Sequence, residues 1–173
     1  MTRAWIIAAF NRLVLGRRYE SVSVGEVTRR AGVGRSTFYE HFRDKDDVLR
    51  QALAVVLTPL ADAAVGRGDP CRVHAVLDHI GENRDRTLAM LDGPARAQIE
   101  QALADLVLAR LSPDAAVPAD ATQRLESRRL AGSHLAVLRA WLDEPDRHTL
   151  AASVAAMLAH PGGAPSHGPI PSS

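Results

Sequence analysis

At 173 residues, with 46% hydrophobic and 24% charged positions, the chain has the makings of one sizeable core or two small packed units. Aromatics are only 4%, alanine and leucine dominate, and no convincing alternating apolar/polar run appears, so strands are excluded and an all-α class is predicted. Net charge is +1, but residues 1–50 hold ten Arg/Lys against six Asp/Glu and residues 51–173 hold eleven against fourteen, so the N-terminal part is mildly basic.

Residues 3–15 read as an amphipathic helix, with Trp5, Ile6, Ala9, Phe10, Leu13 and Val14 at three- and four-residue steps. Asn11 and Arg12 interrupt its apolar run, so it is not a signal peptide. Gly16 is expected to break it, and Tyr19 to pack in the first core. Ser23 and Glu26 form a capping-box pattern that opens a short helix from Val24 to Ala31. Gly32 supplies the left-handed residue that ends it, and the apolar Val33 suggests a plug between helices. Gly34 serves as the next N-cap, and a second short helix starts at Arg35. Phe38 and Phe42, four apart, point inward. Arg35, Ser36, Thr37, Glu40 and His41 make the outward face, with Tyr39 on its flank.

Two short helices joined by a tight glycine-containing turn follow the helix-turn-helix plan, whose second helix enters the DNA major groove. The run from Ala31 to Lys45, Ala-Gly-Val-Gly-Arg-Ser-Thr-Phe-Tyr-Glu-His-Phe-Arg-Asp-Lys, resembles the signature of the TetR family of bacterial transcriptional repressors. The resemblance covers roughly the first 50 residues in detail. It implies a three-helix DNA-binding head (1–45), then a helical ligand-binding and dimerisation bundle (46–160). Arg35 has the fork geometry to read guanine O6 and N7. Ser36 and Thr37 reach base edges or phosphate, while Tyr39, His41 and Lys45 match positions that contact the DNA backbone in the family. Ser23 serves as a cap and, secondarily, as a phosphate donor. The bland alternatives are self-capping by Thr37, a solvated His41 and an Arg35 paired with an acid. Gly34, Gly25 and Thr28 depart from the family's usual residues, and Gly25 removes one backbone contact.

Asp44 caps a longer helix, with Asp46 and Asp47 where its dipole favours negative charge. Leu49, Leu53, Val56, Leu57 and Leu60 form its stripe, Pro59 is expected to bend it or loosen its end, and it ends near Val65 before the break at 66–70. A helix is expected from Cys71 to Ile80, a loop at Gly81-Glu82-Asn83, and one or two turns from Thr87 to Leu91. Cys71 is the single cysteine, so there is no internal disulfide framework. Gly93-Pro94 is expected to start the next helix, through Leu111, and 112–121 a surface loop. From about Thr122 to Leu142 runs a helix with two adjacent stripes: Leu130, His134, Val137, Trp141 and Ala131, Leu135, Leu138, Leu142. A last helix covers about Arg147 to Ala159, and the Pro/Gly/Ser-rich 161–173 is expected to be a disordered tail.

The resemblance implies that these last two helices form a four-helix homodimer interface, for which Leu135, Leu138, Leu142, Leu150, Val154 and Leu158 are the candidates. The alternative is a single-chain bundle whose other helices cover both stripes. It further implies a pocket for a small, apolar effector that releases a palindrome-like operator, with His79, Met90, His134 and Trp141 as candidate lining and Cys71 and His74 as further possibilities. An effector-independent DNA-binding repressor is the rival. No glycine-rich phosphate loop, metal-ligand Cys/His spacing or nucleophile elbow is present, so neither an enzyme nor a cofactor is expected. No apolar run is long enough to cross a bilayer, and a cytoplasmic protein is expected.

Overall fold

The computed structural model describes residues 2–14, 18–114 and 118–159; the expected break at Gly16 and the tail at 161–173 lie outside these. Among the described residues there are nine α-helices, one 3-10 turn and no strand. The helices are α1 (Thr2–Val14), α2 (Val24–Ala31), α3 (Arg35–His41), α4 (Lys45–Ala64), α5 (Pro70–Glu82), α6 (Arg84–Leu91), α7 (Arg96–Leu111), α8 (Ala121–Asp143) and α9 (Arg147–Ala159). The 3-10 turn, Tyr19–Ser21, separates α1 from α2. None of these helices is long and apolar enough to cross a membrane.

Four starts, those of α2, α4, α5 and α8, have side-chain caps among the described residues. Ser23 and Glu26 form the reciprocal capping box of α2, Asp44 accepts from the Asp47 N–H at 2.7 Å, and Asp120 pairs with Gln123 in a second capping box. Gln123 also reaches back to the Leu111 carbonyl at 3.2 Å, so the start of α8 satisfies the end of α7. Two boundaries differ from expectation. Gly81 and Glu82 remain helical, and only Asn83 interrupts α5 and α6. Gly81 is buried, and a Cβ there would lie 3.4 Å from Trp141 Cη2; the glycine is spent on close helix packing, not on a loop. Pro94 sits in the turn before α7, which begins only at Arg96 behind Ala95.

α1 packs on α2 and α4, while α4 continues to meet α5, α7, α8 and α9, so this 20-residue helix touches both the first helices and the last ones. Val48 and Leu49 are buried near its start; Leu57, Leu60, Ala61 and Ala64 are buried beyond. Pro59 removes one helical N–H, that expected by the Val55 carbonyl, and Val55 is itself exposed, so water can take the vacancy.

The C-terminal helices close through polar contacts inside the chain. Trp141 Nε1 donates to the Arg147 carbonyl at 2.7 Å, shutting the α8–α9 turn, and Arg84 donates to the Leu142 carbonyl at 2.7 Å. His134 is buried with Nδ1 2.8 Å from the Leu130 carbonyl and Nε2 2.9 Å from the Leu158 carbonyl, at the last turn of α9. A neutral imidazole donates to only one of them. Burial holds His134 below its ordinary value, against the upward pull of the two carbonyls. The folded state therefore disfavours the proton, and stability falls as pH drops through about 6.5, where the unfolded side chain protonates. Thermal unfolding from about pH 7.5 to about pH 5.5 is expected to show a steeper loss of Tm for the wild type than for His134→Gln, and parallel pH profiles would contradict this linkage.

Candidate functional site

The turn between α2 and α3 is built as its residues require. Gly32 stands at φ 68°, its N–H bonds the Arg29 carbonyl at 3.3 Å, and the Val33 N–H bonds the Thr28 carbonyl at 3.0 Å. This double bond pattern needs a left-handed residue at Gly32. Val27, Phe38 and Phe42 are buried beneath, the two phenylalanine rings 5.7 Å apart. Thr28 is also buried and donates to the Gly25 carbonyl at 3.1 Å, so the threonine is satisfied locally.

With Phe38 turned in, Arg35, Ser36, Tyr39, Glu40 and His41 are exposed on α3, and Thr37 is half-buried. Tyr39 is 59% exposed and leans edge-on against Phe38. The Arg35 guanidinium passes over Gly25, where an added Cβ would be 3.4 Å from Nη2. Gly25 thus leaves the room in which Arg35 lies. Arg29, Arg30 and Arg43, which the residue-by-residue reading passed over, are exposed on the same two-helix unit. Their signal was basic composition alone, which does not say which arginines share a surface.

Two predicted contact residues are already engaged. Ser23 Oγ accepts from the Glu26 N–H at 3.3 Å and donates to Glu26 Oε2 at 2.9 Å, so its hydroxyl proton is used within the cap. Lys45 Nζ lies 3.3 Å from both the Tyr19 and Glu20 carbonyls and 4.4 Å from the Tyr19 ring centroid. Its ammonium ties α4 to the 3-10 turn by hydrogen bonds and a cation–π contact, leaving one donor free. The Tyr19 hydroxyl donates to Asp46, and its ring meets Phe10 edge-on at 6.2 Å.

A cavity of about 330 Å³ lies among α1, α4, α5, α6, α7 and α8, at the small end of the range that holds small molecules, about 300–1,000 Å³. Phe10, Leu53, Leu57, Ile80, Leu135 and Leu138 form much of its apolar wall. His79 and Met90 line it. His134 and Trp141 do not: both are buried elsewhere, with every polar atom on a carbonyl. Asn11, Asn83, Arg86 and Thr87 also line it and were not foreseen. Arg86 stands three residues after Asn83 and four before Met90, a helical spacing that puts them on one side of α6. No group of three or more His, Cys, Asp or Glu side chains among the described residues could hold a metal.

The proposed interface leucines need a correction. Leu135, Leu138, Leu142, Val154 and Leu158 are buried within this chain, against neighbouring helices, and only Leu150 is exposed, at 38%. Both stripes of α8 are consumed by the chain's own bundle, and only Val137 among them is less than fully buried. Small residues are exposed in the second half of α8, at Ser133, Ala136 and Ala140, and on α9 at Ala152 and Ser153 beside Leu150 and Met157, while the first half of α8 exposes Arg124, Leu125, Arg128 and Arg129.

Residues 6–52 match the family model described as bacterial regulatory proteins, tetR family. The whole fold is similar to three solved structures. A TetR transcriptional regulator from Streptococcus agalactiae is 23% identical, with 91% of this chain and 93% of that one covered at a TM-score of 0.52. The TetR family repressor AlkX from Dietzia is 16% identical, covering 91% and 92%, at 0.53. The dihydroxyacetone kinase operon activator DhaS is 19% identical, covering 91% and 94%, at 0.51. At these identities the likeness is one of fold, and it runs well past the matched N-terminal residues. The N-terminal segment is thus similar to that of the tetR family, and the fold of the whole chain is similar to that of TetR regulators.

Loss of the α2 cap should show in stability before it shows in DNA contact. Ser23→Ala is expected to cost about 1 kcal/mol in urea unfolding, and a cost near zero would mean the box is not closed in solution.

Proposed function

We propose that this chain is a TetR-type regulator that binds duplex DNA as a homodimer through the exposed face of α3 and leaves its operator when a small, largely apolar molecule fills the cavity. The observation that carries this reading is where the cavity lies. Its wall includes Phe10, Asn11 and Val14 of α1 together with Leu49, Leu53 and Leu57 of α4, the two helices on which the N-terminal unit rests. An occupant there pushes on the supports of the reading helix. For release, the occupant must bind the DNA-incompetent arrangement more tightly than the competent one; equal affinity shifts nothing.

In this reading Arg35 reads a base edge, with Ser36 and Thr37 beside it at the start of α3. Tyr39 and His41, both exposed, meet the phosphate backbone, and Arg29, Arg30 and Arg43 add positive charge. Ser23 serves as a cap alone. Lys45 acts mainly by holding the 3-10 turn, with its remaining donor available to a phosphate. The dimer forms across the small-residue face of α8 and α9, where Ser133, Ala136 and Ala140 lie at i, i+3 and i+7, and Leu150, Ser153 and Met157 repeat that spacing. Small residues let two helix pairs approach closely, and a two-fold assembly asks for a palindrome-like operator with half-sites about one turn, or a multiple of it, apart. The division into a head at 1–45 and a bundle at 46–160, and a cytoplasmic location, go with this reading.

A randomised-DNA selection with the purified protein tests it directly: enrichment of an inverted repeat is expected, and no enrichment would refute it. Arg35→Ala should then relax preference at one base position of each half-site by roughly 1–3 kcal/mol, measured by anisotropy on single-base variants. Ala136→Glu should give a folded monomer in sedimentation velocity that no longer binds the full site. A dimer that survives this change would place the interface elsewhere.

A further inference from the structure

The cavity's lining is chemically lopsided. Its wall from α1, α4, α7 and α8 is almost wholly apolar, whereas its polar groups gather along residues 79–87, at the α5–α6 junction, with Asn11 of α1 as the exception. Most of these polar groups are spent on each other. Asn83 Nδ2 donates to the His79 carbonyl at 2.9 Å, Thr87 Oγ1 donates to the Asn83 carbonyl at 3.1 Å, and Asn83 Oδ1 accepts from Arg86 Nη1 at 3.0 Å. That last bond occupies one of the five N–H donors of the Arg86 guanidinium. Arg86 is half-buried, and no ion pair among the described residues involves it.

Arg86 also stands at a boundary. With Val14 and Met90 it lines both this cavity and an adjoining polar cleft formed by Arg18, Tyr19, Glu20 and Asp92. The acids of that cleft do not neutralise it. Asp92 is taken by Arg139 at 2.7 Å, which holds its carboxyl below the ordinary value, and Glu20 is not within ion-pair distance of Arg86. A guanidinium at the mouth of an apolar cavity, with donors to spare and no counter-charge, is the arrangement that selects a planar anion on an apolar body.

We infer that the molecule this cavity takes is an amphipathic carboxylate, its apolar body among Phe10, Leu53, Leu57 and Leu138 and its carboxylate on Arg86 at the edge of the cleft. This rests on the reading of the cavity as an effector site and adds the chemical class. An uncharged compound of the same shape gains the apolar contacts but leaves Arg86 without a counter-ion, and a cationic one faces like charge. The apolar wall excludes small polar anions, which have nothing with which to fill it.

The test uses three probes of one shape, decanoate, decan-1-ol and decylammonium, each below its critical micelle concentration, with full-length protein in titration calorimetry and thermal shift. Decanoate is expected to bind at least about tenfold more tightly than decan-1-ol, with decylammonium weakest. Arg86→Gln should erase the decanoate advantage and leave decan-1-ol within about twofold of wild type, while Arg86→Lys should keep part of the advantage. Leu53→Trp, which fills the cavity, should abolish binding of all three; circular dichroism checks that each variant is folded. Equal binding of decanoate and decan-1-ol to the wild type, or an unchanged decanoate advantage in Arg86→Gln, overturns the carboxylate assignment and leaves the effector cavity standing. Failure of all three to bind the wild type, or binding that survives Leu53→Trp, overturns both.

Discussion

Every other feature depends on the double burial of α4. Its first turns are locked under α1 by Val48 and Leu49, and its remainder is wedged among α5, α7, α8 and α9 through Leu57, Leu60, Ala61 and Ala64. A helix packed on both parts behaves as a single lever, since close-packed interfaces shift between discrete arrangements and do not deform smoothly. The lever is also anchored by charge. Arg110 of α7 pairs with Asp62 at 2.5 Å and donates to the Thr58 carbonyl at 3.4 Å, beside the one proline that weakens the helix.

At the N-terminal end the chain divides its polar side chains between holding the unit together and leaving a face free. Lys45, Tyr19 and Asp46 form one set, joining the 3-10 turn to the start of α4. Ser23 and Glu26 form another. What remains exposed is the row of α3 from Arg35 to His41, supported from below by Phe38 and Phe42. That division makes Gly25 intelligible. Its missing side chain leaves the Arg35 guanidinium, which a Cβ would meet at 3.4 Å, close against α2, at about 1 kcal/mol of helix propensity.

In the C-terminal part the same economy turns inward. His134 and Trp141 look like recognition groups in isolation, yet Trp141 donates to the Arg147 carbonyl at the start of α9, and His134 sits between the Leu130 carbonyl and that of Leu158, in the last turn of α9, where carbonyls lack intrahelical partners. Arg86, on the short α6 and beside the cavity, keeps donors that no carboxylate among the described residues takes up.

The sequence by itself determined the local events. The capping box at Ser23, the left-handed turn at Gly32, the cap at Asp44, the inward phenylalanines and the all-α class all rest on interactions within about four residues, and propensity and spacing encode these directly. Only the tertiary structure decided what covers the broad apolar arc of α8, because a stripe is equally apolar whether another helix of the same chain or a second copy lies on it. Leu135, Leu138 and Leu142 went to the chain's own core, and the small exposed residues were left outside. The same limit applied to Gly81, which reads as a loop residue until Trp141, sixty positions on, is seen against it, and to Arg86, whose lack of a counter-charge depends on where distant acids fall. Contacts between residues far apart in the chain carry no periodic signal, so their partners are settled only when the helices pack.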